Sequence, residues 1–170
     1  MPAVVAAAFT WIAMLSFGGI LVETIVIYPN VFHDPPASLA SAVDFFTVTG
    51  PADLFPPLGA ATGIAALAAL ALAWRTRARW WFAAALLCLV VGEFLFSMLF
   101  FWPRNDIMFE EGLAVHTAEV LRRTAVEFET GHWVRLAMSA VTATLGFVGL
   151  LRLWRAPAAS AASGHPGTAS

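Results

Sequence analysis

GHWVRLAMSAVTATLGFVGLLRLW, residues 131–154, is the stretch whose reading decides the fold. His132 and Arg135 stand at its entrance, and no further charge appears until Arg152. At the helical rise of about 1.5 Å per residue the run is long enough to cross a hydrocarbon layer. His132, Arg135, Ser139, Thr142, Gly146 and Gly149 recur at helical spacing and so fall on one stripe. Small and hydroxylated residues gain little from acyl chains, but they let another helix approach closely and bond across the contact. The stripe is therefore a buried face, and its charged end is the place to look for chemistry.

The rest of the chain has the same character. Of 170 residues, 60% are hydrophobic and only 12% charged, which is too apolar for a soluble domain of this size. Four separated apolar runs account for the excess. The expectation is an all-α polytopic membrane four-helix bundle, one domain over 1–155, with spans at about 4–28, 57–74, 80–102 and 132–154. The tail, 156–170, has nothing to bury and is expected to be disordered in the cytoplasm. A single cysteine, Cys88, excludes an internal disulfide, a CxxC redox pair and a thiolate metal cage. The opening apolar run continues to Ile27, too long for a signal-peptide core, and reads as an uncleaved first span.

That first span carries Glu23, and Ser16, Gly19, Glu23 and Asn30 share a face expected to look at other helices. ASLASAVDFF, 37–46, reads as a short interfacial helix in an acidic loop with Asp34, Asp44 and Asp53. Pro56 and Pro57 suit the first turn of the second span. Gly59 and Gly63 in that span form a GxxxG pattern that would permit a homodimer. RTRAR, 75–79, puts three arginines in a short loop. By the positive-inside tendency that loop is cytoplasmic, which makes both termini cytoplasmic as well, with the bundle in the cell membrane. It is also the only basic cluster, so no nucleic-acid partner is expected.

Trp80, Trp81 and Trp102 bracket the third span, and Glu93 lies inside it with Ser97 one turn on. The polar segment 103–130 reads as a second short outer helix over 113–129, with Glu119–Arg123 and Arg123–Glu127 ion pairs, broken or hinged at Gly131.

Four antiparallel spans bring Glu23, Glu93, His132 and Arg135 into the outer half of the membrane, with Asn30 and Asn105 close by. An ionised residue at a helix centre costs around 2.5 to 3.5 kcal/mol, so unpaired burial is disfavoured. Arg135 is expected to bridge one carboxylate, while the other pairs with His132 or carries a proton. Such a site can move a proton. Three other readings stay open: a purely structural clamp, a proton-coupled carrier, and a metal centre. Glu129-x-x-His132 has the carboxylate–histidine spacing of di-iron bundles, with His33 and His116 as loop donors, but a second such motif is lacking. No cofactor is expected, and a transition metal remains the open alternative.

Trp102-Pro103-Arg104-Asn105 after the third span, a polar helix, and Phe128-Glu-Thr-Gly-His132-Trp-Val-Arg135 opening the fourth resemble the small anthrone oxygenase-like membrane proteins. The resemblance implies oxidation of a polycyclic phenolic ketone to a quinone by O₂ without a dedicated organic cofactor. On that basis His132 or Glu93 would remove the benzylic proton, with Glu23 in the same polar group. Arg135 and Asn105 would stabilise the enolate oxygen. Asn30, Trp133, Phe100 and Phe101, with Phe94 and Phe96, would line the place of a flat apolar substrate drawn from the bilayer. The alternative is a non-catalytic accessory or small-molecule-binding membrane protein.

Overall fold

The computed structural model describes residues 1–155, so the expectation for 156–170 lies outside the described residues. Four helices are long and apolar enough to cross a membrane: α1 (Pro2–Val31), α3 (Pro51–Ala73), α4 (Arg79–Val115) and α5 (Ala118–Trp154). Between the first two lies a short helix, α2 (Ala37–Phe45). There is no strand among the described residues. The long helices run up and down in turn. α5 packs against α1 and α4, and α3 closes the ring between those same two neighbours.

The expected stripe on α5 is the seam of this packing. His132, Ser139, Thr142, Gly146 and Gly149 are all buried, and Arg135 is half-buried beside them. A Cβ on Gly146 would lie 2.7 Å from the Phe9 ring, and one on Gly149 would lie 2.8 Å from the Phe82 ring. Each glycine is thus a notch that admits an aromatic side chain from α1 or α4, which is how close helix contact is won in lipid. By contrast, large apolar side chains such as Trp11, Leu15, Ile64, Leu87 and Phe147 point outward. That is the solvent preference of a bilayer, not of water.

The interior divides into three layers. Ala6, Phe9, Ala13, Ala66, Ala69, Phe82, Ala85 and Ala143 form an apolar core at the arginine-loop end. A second core at the opposite, distal end gathers Tyr28, Phe32, Leu39, Phe101, Met108, Leu121 and Phe128, with α2 folded over it. Glu23, Thr24, Glu93, His132, Ser139 and Thr142 lie buried between the two.

Three local expectations are corrected. α3 starts at Pro51, not at Pro57, so Pro56 and Pro57 lie within it. The start is set by extended Gly50, whose N–H donates to the Asp53 carboxylate at 2.8 Å. Gly131 neither breaks nor hinges the chain, because α5 runs unbroken from Ala118 to Trp154. The glycine is there for space: a Cβ at that position would overlap the Phe100 ring. Finally, the separate outer helix over 113–129 does not form. α4 continues to Val115 through two further π-helical turns, and α5 begins at Ala118 with Thr117 Oγ1 accepting from the Val120 N–H. On its surface Glu127 takes Arg104 at 2.8 Å and Arg123 at 3.8 Å, whereas the Glu119–Arg123 pair is not made.

Candidate functional site

Both intramembrane carboxylates sit on π-helical turns, Glu23 on Glu23–Ile27 of α1 and Glu93 on Leu89–Leu95 of α4. A π turn carries an extra residue, weakens the local hydrogen-bond ladder and rotates the residues beyond it, and such turns recur at functional sites. Adjacent Glu23 and Thr24 continue the buried stripe of Ser16 and Ile20, and both face α5. Beyond the π turn the rotation shows: Asn30, expected on the same face as Glu23, is turned out to the surface. Asn30 spends its side-chain N–H on the Val26 carbonyl at 2.6 Å.

His132 lies at the centre, 0% exposed. Its ring is boxed by Tyr28 and Phe101, edge-on at 4.5 Å and 5.2 Å, and by Phe128, stacked at 5.8 Å. Nδ1 is 2.8 Å from Thr24 Oγ1. Nε2 points the other way, 3.5 Å from Arg135 Nη1 and 3.8 Å from Glu23 Oε2. Tyr28 donates its hydroxyl to the second Glu23 oxygen at 3.1 Å. His132 thus stands beside one of the two carboxyl groups, Glu23, at a distance too long for a hydrogen bond.

Arg135 departs from expectation. It makes no ion pair with either glutamate among the described residues, although its charge lies within electrostatic reach of both. Instead its guanidinium stands 5.2 Å from the Phe55 ring of α3 and 5.7 Å from the Phe101 ring of α4. A planar cation between aromatic faces is held by the ring quadrupoles and keeps its N–H groups free for other acceptors. Its buried Nε, like the buried Glu23 Oε2 and Ser97 Oγ, has no hydrogen-bond partner within the described residues. Glu93 is tied separately, accepting from Thr142 Oγ1 at 2.7 Å across the α4–α5 contact.

The remaining candidates divide plainly. Phe101 is in the site, and Phe100 packs on Gly131 and under Arg104, whose guanidinium lies 3.7 Å from its ring. Trp133 does not line the site: it is 57% exposed, because the residue after His132 on an α-helix points about 100° away from it. Phe94 faces outward for a similar reason. Asn105 lies at the distal end of α4, half-buried, without a side-chain bond to Arg135. His33 bonds the Asn30 carbonyl and His116 pairs with Glu111, so neither approaches His132. No cluster of three or more His, Cys, Asp or Glu poised to hold a metal occurs among the described residues.

Thr24, Tyr28, Phe55 and Phe128 are not singled out by sequence. Thr24 adjoins Glu23 and Phe128 opens the motif containing His132, so adjacency is a signal for those two, while Phe55 and Tyr28 carry none. Two clefts of about 330 and 310 Å³ open at the distal end on either side of α2. Asn30 lines the first, and neither is lined by His132 or Arg135.

A helical membrane-type bundle with a histidine, a carboxylate and an uncommitted arginine between two apolar cores defines the class of protein. The sequence pattern of the anthrone oxygenase family matches residues 45–149, more than half of the chain, and the protein belongs to that family. The match begins after α1, so Glu23 and Thr24 lie outside it. No curated protein and no solved structure matches the chain.

Proposed function

We propose that the chain is an anthrone oxygenase-like membrane enzyme that oxidises a flat phenolic ketone with O₂. The observation that carries this reading is the Arg135 guanidinium, held between Phe55 and Phe101 beside His132 and free of any carboxylate ion pair among the described residues. A group so placed offers positive charge to an oxygen on which negative charge develops, and flat rings to the molecule that bears it. The chemistry balances without a further reductant. A ring CH₂ loses a proton to the His132–Glu23 pair, and the electron pair spreads to the carbonyl oxygen, where Arg135 compensates it. The carbanion reduces O₂ as a new C–O bond forms. Loss of the second ring proton, with cleavage of the O–O bond, leaves the quinone carbonyl and water.

The same proposal sets the bundle in the cell membrane with the Arg75–Arg79 loop and both termini cytoplasmic. It allows a homodimer along α3, where a Cβ on Gly59 would meet no atom within 4 Å. One observation favours a second reading: His132 is wholly enclosed, as a purely structural histidine would be. On that reading the chain is a non-catalytic membrane protein that binds an apolar small molecule. Anaerobic mixing of detergent-purified protein with a simple anthrone separates the two. The oxygenase reading expects the visible absorbance of the anthrone enolate to rise with wild type and not with Arg135→Ala. No enolate with folded wild type would overturn it.

A further inference from the structure

The ring of His132 is flanked by two neighbouring residues of one π turn, Thr24 in hydrogen-bond contact and Glu23 at 3.8 Å. Thr24 Oγ1 is 2.7 Å from the Ile20 carbonyl and 2.8 Å from His132 Nδ1, with all three groups buried. A hydroxyl has one hydrogen and two lone pairs. With that hydrogen on the Ile20 carbonyl, which can only accept, Thr24 accepts from Nδ1, and Nδ1 must carry the ring proton. The opposite nitrogen faces one group of each kind, the Arg135 guanidinium at 3.5 Å and the unpartnered Glu23 Oε2 at 3.8 Å, so Thr24 decides between them. Every nitrogen of a guanidinium is a donor, and a lone pair at Nε2 accepts from it.

We infer that Thr24 is a positioning residue that fixes His132 as its Nδ1–H tautomer, leaving the Nε2 lone pair turned toward Arg135 and Glu23. Thr24 meets Nδ1 while Glu23 Oε2 stands 3.8 Å from Nε2, because the two neighbours project in different directions from the buried stripe of α1 and so flank the ring. The aromatic box of Tyr28, Phe101 and Phe128 keeps the ring from flipping to exchange its nitrogens. α1 thereby supplies a working part of the site from outside the segment that the family pattern covers. The tautomer stands on hydrogen bonding alone. Its catalytic consequence, a lone pair ready to take the substrate proton, rests on the oxygenase reading.

Nitrogen-15 NMR of histidine-labelled full-length protein in detergent reads the tautomer directly, with the His132 signals assigned by their loss in His132→Gln. The expected wild-type spectrum has Nδ1 protonated and Nε2 unprotonated. Thr24→Val keeps the shape and removes the acceptor, so Nε2–H should appear, and Thr24→Ser should restore the wild-type pattern. Anthrone turnover should fall by on the order of 10²-fold in Thr24→Val and recover in Thr24→Ser. A wild-type ring protonated at Nε2, or a folded Thr24→Val with its tautomer unchanged, would overturn the inference. If Thr24→Val does not fold, Thr24→Ala removes the same acceptor with less bulk, and its spectrum decides between a switched and an unchanged tautomer. A tautomer that switches as expected in a protein without turnover would sink the oxygenase reading and leave the positioning role standing.

Discussion

Thr142→Val probes whether the α4–α5 contact is held by the bond to Glu93. Thr142 is 2% exposed, and its hydroxyl lies 2.7 Å from Glu93 Oε1 and 3.1 Å from the Met138 carbonyl. Valine matches threonine in shape, so no cavity opens and the lost donor dominates. Leaving a buried acceptor without its donor costs about 1 to 3 kcal/mol in a water-soluble protein. Between membrane helices such bonds average about 0.6 kcal/mol with a maximum near 1.7, because the separated helices also find partners. The Met138 carbonyl already accepts within the helix and loses little. A short bond of 2.7 Å buried between two helices belongs at the upper end of the membrane range, so about 1 to 1.5 kcal/mol is expected. For a chain of this size that lowers the melting temperature by roughly 2 to 6 °C. The assay is thermal unfolding in detergent, with Thr144→Val as control, since exposed Thr144 bonds only the Ala140 carbonyl. Repeating Thr142→Val in a Glu93→Gln background isolates the pair. Equal melting for the 142 and 144 variants, or an equal loss with and without Glu93, would refute the reasoning.

Gly149→Val should cost about 1 to 3 kcal/mol, because its Cβ would meet the Phe82 ring at 2.8 Å and force α4 from α5. Gly59→Ala should leave the melting temperature unchanged or slightly raised, with open space on its side of α3; thermal unfolding checks both. Trp133→Ala should keep wild-type anthrone turnover despite its place beside His132, since its side chain points out of the bundle, and a loss of turnover with stability intact would place it in the site after all.

The bundle is legible in the sequence because lipid imposes simple rules: long apolar runs, tryptophans at their ends and arginines in a short loop. The α5 stripe is legible for the same reason, since helical spacing from His132 to Gly149 suffers no interruption. Illegible are the places where a helix leaves the ideal period. The π turn at Glu23–Ile27 gives no signal in residue type, so ideal spacing carries Asn30 round to the wrong face. Gly131 reads as a breaker because its use, room for Phe100, depends on a residue of another helix. The cost of burying charge, taken alone, assigns Arg135 a carboxylate. Phe55 and Phe101 supply the compensation instead, and aromatic faces cannot be distinguished from ordinary packing in a chain this rich in phenylalanine.

The most direct test of the account is the initial rate of O₂ uptake with a simple anthrone, measured for detergent-purified wild type and Arg135→Ala of matched folding. The account predicts uptake above the spontaneous rate, one O₂ consumed for each quinone formed, and a return to the spontaneous rate in Arg135→Ala. Uptake that is no faster than spontaneous with wild type, or equally fast without the arginine, would contradict it.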